Sequence, residues 1–385
     1  MSAESFDVIV VGAGVLGTFH AYHAARSNKK VLLLEKDLSP VQATVRNFGQ
    51  IVPSGMSSDW FDWARRSLEI YSSIQNEFDI SLRRNGSIYF ASNSEEVQLI
   101  HELHSIMKER DYPSQLLSTN ECGERWPRIK SDYVKEGLFF PSEFSAEPET
   151  MIYKLLTYVS EKLKIDYRPN AAVISCQPKG SLVSVETSNN QKFLAEHVII
   201  CNGSDFKLLF PEWFAQSGIV VSKLQMMRTI PLKNIPLKGN ILTGLTIRRY
   251  ESFEECPSFP SLKNLDHLTE LKKWGIHILF KQAIDGSIII GDSHEYASVN
   301  KIENLKYEIN SHVNELILHE ASRIVDFDVY QIASTWAGFY SQHPEKDIIE
   351  MDFENRIHIR TAIGGKGMTS SAGYAEASIQ KIYGL

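Results

Sequence analysis

The sequence predicts an α/β (α+β) protein built on a Rossmann-type nucleotide-binding domain that is discontinuous along the chain. A buried strand runs into Gly12-x-Gly14-x-x-Gly17 and opens a helix, and a second buried strand follows and ends at an acid, Glu35. Further glycine-marked strand ends recur near the middle and at the end of the chain, at Asn202-Gly203 and Gly364-Gly365-Lys366-Gly367.

In chain order, Phe6 to Val11 is an apolar, β-branched run suited to a strand covered on both faces. Val15 to Ser27 is Ala-rich and helix-compatible, and Val31 to Leu34 is the second buried strand. Asp59 to Phe78 carries Trp60, Trp63, Ile70 and Ile74 at helical spacings. Ser87 to Ala91 reads as a strand, and Glu95 to Arg110 and Glu149 to Lys164 read as helices. Tyr167 to Val185 alternates like paired strands, and His197 to Cys201 is a short apolar strand. Strand-like runs follow at Met226 to Ile230, Ile241 to Arg248, Ile276 to Phe280 and Ser287 to Ile290. Lys301 to Arg323 is helix-like, and Arg356 to Ile363 is a strand leading into the helix-compatible Thr369 to Ile382.

The 385 residues suggest two domains at roughly 150 residues each. The expected division gives 1–82, 148–220 and 332–385 to the nucleotide-binding domain, and 83–147 and 221–331 to a substrate domain. Lys and Arg number 40 against 47 Asp and Glu, a net charge of −7, which argues against nucleic-acid binding through a broad basic surface. Cys122, Cys176, Cys201 and Cys256 lie far apart, with no metal-finger spacing, and read as free thiols of a reducing compartment. The N-terminus has neither the basic start nor the apolar length of a signal peptide or membrane span, so a cytoplasmic, soluble protein is expected.

Each part of the fingerprint has a physical task. Gly12 allows the tight turn, Gly14 lets the backbone approach a pyrophosphate, and Gly17 permits close packing of helix on strand. The helix start, with Val15 and Leu16, offers unpaired N–H groups to the anion. Glu35, 18 residues after Gly17 and followed by Lys36, is placed to accept hydrogen bonds from ribose hydroxyls. These residues alone do not separate NAD from FAD.

Arg46-Asn47-Phe48-Gly49-Gln50, Cys201-Asn202-Gly203-Ser204, Trp336-Ala337-Gly338 and Gly364-Gly365-Lys366-Gly367-Met368-Thr369 supply the distinction. In this order they resemble the D-amino-acid oxidase superfamily of FAD enzymes, which includes glycine and sarcosine oxidases. The resemblance spans the chain. It implies non-covalent FAD and an antiparallel substrate sheet. It also implies an isoalloxazine ring lined by Arg46, Asn47, Gly49 and Gln50, with Val173, Asn202, Gly203 and Gly338 nearby. The turn Gly364, Gly365, Gly367, Met368, Thr369 would bring a helix N-terminus to the flavin's pyrimidine end, where its dipole favours negative charge.

The middle of the chain carries a narrower resemblance, in Arg248-Arg249-Tyr250, Trp274-Gly275-Ile276-His277 and Gly291-Asp292-Ser293-His294-Glu295-Tyr296. These resemble a bacterial branch of the superfamily associated with phosphonate catabolism, which implies oxidation of aminophosphonates or their N-substituted forms. Gly338-Phe339-Tyr340-x-x-His343-Pro344 also fits that branch. It departs from the glycine-oxidase pattern, in which an arginine after the glycine holds a substrate carboxylate.

The candidates facing substrate are His277, Arg249, Tyr250, Tyr340 and Lys366. His277 reads either as a hydrogen-bonded core histidine or as a group that accepts an ammonium proton or holds an anion. Arg248 and Arg249 read as solvated strand-end residues or as an anion clamp; on an alternating strand only one faces inward. Lys281 reads as a surface lysine, and His294 and Glu295 as loop residues. Tyr340 and His343 either approach the flavin or pack their loop, and Lys366 either contacts flavin or substrate or is solvated. Trp60, Phe61 and Trp63 read as core. The pairs His20/His23 and His101/His104 lack a third ligand, so no metal site is expected.

The resulting expectation is FAD-dependent oxidation of a small amine to an imine, with dioxygen or another acceptor reoxidising the flavin. An ordinary amino acid is the alternative substrate. An NAD-dependent dehydrogenase and a non-catalytic flavin-binding protein are the alternatives of other classes.

Overall fold

The computed structural model describes residues 4–263 and 268–384. Part of the N-terminal stretch read above, residues 1–3, lies outside them.

Alternation and burial sort the strands into two large sheets and a small one. In the first, Glu4–Val11 lies parallel between Val31–Leu34 and Lys192–Ile200, with Asp166–Arg168 and Ile357–Thr361 extending the parallel core. Val8, Ile9, Val10 and Leu32 to Leu34 are buried, as strands covered on both faces require. The hairpin of Val173–Lys179 and Leu182–Thr187 adds an antiparallel edge. Helices Val15–Arg26, Ser58–Glu77 and Gly367–Tyr383 pack together in one apolar cluster with this sheet. Trp60 and Phe61 are buried there, and Trp60 stacks on Tyr374, so the aromatic cluster is core.

The second sheet has nine strands and is antiparallel, except where Asn240–Leu242 runs parallel to Ser87–Ala91. Its longest pairing joins Val220–Thr229 to Ile332–Gln342. The strand Ile332–Gln342, grouped by sequence with the nucleotide-binding segments, is therefore hydrogen-bonded into the second sheet. Gln50–Ile51, Phe144–Ala146 and Leu82–Arg83 form a small third sheet.

Three local expectations are corrected. The strand expected from Ile241 to Arg248 stops at Leu242, and Gly244–Ile247 forms a helical turn that sends Arg248 and Arg249 in different directions. The strand expected from Ile276 begins only at Leu279, leaving His277 on extended chain before it. Lys301 to Arg323 divides in the same way into a 3-10 segment and the helix Ser311–Ile324, capped by the Asn310 side chain. Among the described residues no helix is long and apolar enough to cross a membrane.

Candidate active site

A cavity of about 1430 Å³ runs from the glycine turn of the first sheet to the inner face of the second. Its size exceeds the ~300–1,000 Å³ usual for a small-ligand pocket and suits a dinucleotide with a substrate beside it.

At the nucleotide end, Gly12, Gly14, Val15, Leu16 and Gly17 line the wall with Glu35, Lys36, Val173, Asn202 and Gly203. Gly12 has φ +98°, and a Cβ there would stand 2.3 Å from the Cys201 carbonyl oxygen. A Cβ on Gly17 would stand 1.9 Å from the Gly12 carbonyl oxygen, so strand and helix touch through hydrogen alone. Glu35 accepts from the amides of Ala13 (2.8 Å) and Asp37 (3.1 Å), and burial pushes its pKa up. Lys36 is held by Asp205 at 2.7 Å. Thr44, which sequence reasoning missed, accepts from the first helical amide, Val15, at 3.0 Å.

At the far end, Gly364, Gly365, Gly367, Met368 and Thr369 line the wall as a 3-10 turn leading into the helix Gly367–Tyr383. Asn47 and Gln50 also line it. Arg46, Gly49 and Gly338 stand just behind. Arg46 donates to the carbonyls of Val41 and Ala337, and a Cβ on Gly338 would crowd the Arg46 carbonyl at 2.9 Å. These three shape the loop rather than face the cavity.

The same cavity is lined by Arg249, Tyr250, His277, Tyr340 and Lys366, together with Asp292, His294 and Tyr296. Arg248 turns away from them into a buried ion pair with Glu96 (2.7 Å), with Glu95 at 3.2 Å. Arg249 donates to the Tyr296 hydroxyl at 3.0 Å and has no carboxylate partner among the described residues. The choice between the two arginines is thus resolved in favour of Arg249. Tyr250 lies edge-on to His277, with ring centroids 5.8 Å apart. Burial pushes the phenols of Tyr250 and Tyr340 up, so both are neutral donors. Lys366 does face the cavity, but Glu251 (2.9 Å) and Asp347 (3.0 Å) hold its ammonium. Burial works to lower its pKa and these carboxylates more than offset it. His343 packs against Gly218 and takes the Glu345 amide, a loop-packing role.

His277 does not stand alone. Its backbone exchanges two hydrogen bonds with Asp292, which sets the two side chains beside each other. Nε2 lies 2.5 Å from Asp292 Oδ1, and Nδ1 lies 3.3 Å from Thr246 Oγ1. His294, expected to have a loop role, donates from Nδ1 to the Gly275 carbonyl at 3.1 Å and brings its ring to 5.5 Å from that of His277. Burial pushes the His294 pKa down. Burial works to raise that of Asp292, but His277 and then His294 hold it below the ordinary value. A proton or anion therefore meets His277 together with Asp292 and His294.

Over residues 7–380 the chain matches the family described as FAD dependent oxidoreductase. It belongs to that family. The cofactor of this oxidoreductase is FAD, which decides against the NAD alternative, and the glycine turn, Glu35 and the C-terminal turn are the residues fitted to hold it. The oxidoreductase is 25% identical to human (Homo sapiens) peroxisomal sarcosine oxidase over 52% of its own length and 51% of that protein, so it spans about half of that relative. It is 23% identical to glycine oxidase of Bacillus licheniformis over 94% of its length and 91% of that protein. Among solved structures, glycine oxidase from Geobacillus kaustophilus superposes with a TM-score of 0.77 at 17% identity, covering 98% of this chain and 95% of that one. L-proline dehydrogenase from P. horikoshii gives 0.79 at 17% identity, covering 99% and 94%. These likenesses establish the fold of the oxidoreductase.

Lys281, read from sequence as a surface residue, is fully buried and bonded to the Ala146 carbonyl, and burial pushes its pKa down to about 7. Asp292 and Thr246 were missed because each acts only through residues distant in sequence. Asp292 meets His277 across a strand pairing, and Thr246 sits on the helical turn where a strand was expected.

Proposed function

We propose that the oxidoreductase acts on the C–N bond of a small primary or secondary amine that also carries an acidic group, an aminophosphonate or its N-substituted form being the best fit. One observation carries this reading: Arg249, a guanidinium on the cavity wall with no carboxylate partner among the described residues. Its fork matches two oxygens of a tetrahedral anion. Tyr340 stands on the strand where the glycine-oxidase pattern has its carboxylate-binding arginine, so the anion is taken from the Arg249 side. Names of the relatives, glycine and sarcosine oxidase among them, support amine chemistry and keep an ordinary amino acid as the second reading.

The glycine turn, Glu35 and the C-terminal turn would hold FAD, which would supply a hydride acceptor for the carbon bearing the neutral amine and a route for the electrons to dioxygen or another acceptor. Water then converts the imine to an aldehyde or oxo product. The protein's share is placement. Arg249 and the Tyr296 hydroxyl fix the acidic group, Tyr250 and Tyr340 line the apolar path between it and the glycine-rich turn, and buried side chains limit water. Anaerobic addition of 2-aminoethylphosphonate, its N-methyl form, glycine and sarcosine to the yellow holoenzyme tests the reading. Bleaching by the phosphonates supports it; bleaching by the amino acids alone overturns it.

A further inference from the structure

The three side chains His277, Asp292 and His294 present one donor atom each, all within 4.8 Å of one another, on the wall of the substrate cavity. Their outer partners give the arrangement its chemical direction. A carbonyl only accepts, so the His294 Nδ1 that meets Gly275 carries the proton, and Nε2 of the neutral ring is a lone pair. His277 likewise turns Nδ1 to Thr246 Oγ1 and Nε2 to the carboxylate. Histidine metal ligands are oriented in this way, one nitrogen tied to a carbonyl or hydroxyl and the other left for the ion.

A second observation points at a ligand. Asp292 is buried, and its Oδ1 meets only His277 Nε2, at 2.5 Å and off the line of a hydrogen bond, among the described residues. A buried carboxylate served by one poorly aligned imidazole is under-satisfied, and a cation at the cluster removes that cost. Two imidazoles and one carboxylate, with the remaining positions open to a cavity, form a donor set for a divalent transition metal. Ligand atoms of such an ion stand about 3–3.5 Å apart at metal–ligand bonds of about 2.1 Å, so small side-chain rotations complete the site.

We propose that His277, Asp292 and His294 bind a divalent transition-metal ion such as zinc, whose open positions take an oxygen of an anionic ligand shared with Arg249. Arg249 opposes a bare cation, but an anion bridging the ion and the guanidinium satisfies both. A phosphonate, with three oxygens, can reach both at once. The ion's binding is independent of the amine-oxidation reading; only its task in holding the substrate's acidic group rests on it.

The test uses tag-free holoenzyme, stripped with a chelator and titrated with zinc by calorimetry. The expected result is one ion per chain with a Kd of about 1 μM or tighter, and a zinc X-ray absorption spectrum showing imidazole neighbours and no sulfur. His294→Ala and Asp292→Asn should each weaken binding at least about tenfold, with the flavin spectrum confirming that the variants still fold. Absence of a saturable site, sulfur ligation, or unchanged binding in both variants overturns the metal site. Methylphosphonate, followed by its perturbation of flavin absorbance, should bind at least about tenfold tighter with zinc than without. Equal affinity overturns the anion role even if the ion binds, and neither result depends on which amine is oxidised.

Discussion

Arg248 donates from Nε to Glu96 Oε1 across 2.7 Å, in a pair that leaves both side chains nearly free of solvent, while the adjacent Arg249 reaches the cavity. The helical turn Gly244–Ile247 makes this division possible, because successive residues leave it about 100° apart. Gly244 fits over the Glu96 carboxylate, where a Cβ would stand 2.3 Å from Oε2. One arginine is thereby structural and its neighbour is free to bind.

Arg249→Lys should therefore raise KM for an acidic amine by about 10–100-fold and change kcat less, because a point charge replaces a two-oxygen fork used mainly for binding. Steady-state kinetics with the phosphonate substrate checks this. An equal fall in kcat with KM unchanged would assign Arg249 to the chemical step instead.

Arg248→Met should leave the Glu96 carboxylate buried with the Ser92 amide and hydroxyl as its remaining donors among the described residues. Breaking one side of a buried ion pair destabilises by about 3–5 kcal/mol. Urea denaturation should show the loss, while KM of the protein that remains folded stays within about twofold of wild type. A neutral effect on stability would mean that the pair is not buried in solution.

Gly17→Ala should abolish FAD binding or weaken it severely. Its new methyl would lie 1.9 Å from the Gly12 carbonyl oxygen, so the helix must retreat from the strand and carry its first turn away from the cofactor. The protein should purify colourless, and added FAD should not restore the flavin absorbance. A yellow variant with normal flavin content would show that the helix yields without consequence.

How far the sequence discloses the molecule follows from where its constraints act. The first βαβ unit was legible because its glycines, apolar strands and terminal acid all act within 35 residues. Glu4–Val11, Val15–Arg26 and Val31–Leu34 accordingly match the expected elements closely. The substrate wall was less legible. Apolar periodicity gave His277 a strand that begins two residues later, and nothing local tells that Asp292 will cross to meet it. The buried state of Lys281 depends on the Ala146 carbonyl, 135 residues away. Lys366 looked free between glycines, yet two carboxylates from separate segments hold it.

Glu143 gives the fold a pH dependence that is open to measurement. Its carboxyl is fully buried, and Oε1 accepts from the Ser54 amide (2.8 Å) and the Tyr112 hydroxyl (3.2 Å). Burial pushes its pKa from 4.5 up to about 7. The native state therefore binds a proton more tightly than the unfolded chain. The stability this contributes is complete below about pH 4.5 and is lost as pH rises through about 7. Between those limits the wild type should lose about 3 kcal/mol relative to Glu143→Gln, whose amide stays neutral throughout. Denaturation of both proteins from pH 5 to about 8 measures the difference. Parallel stability curves would show that Glu143 is ionised in the native state across this range.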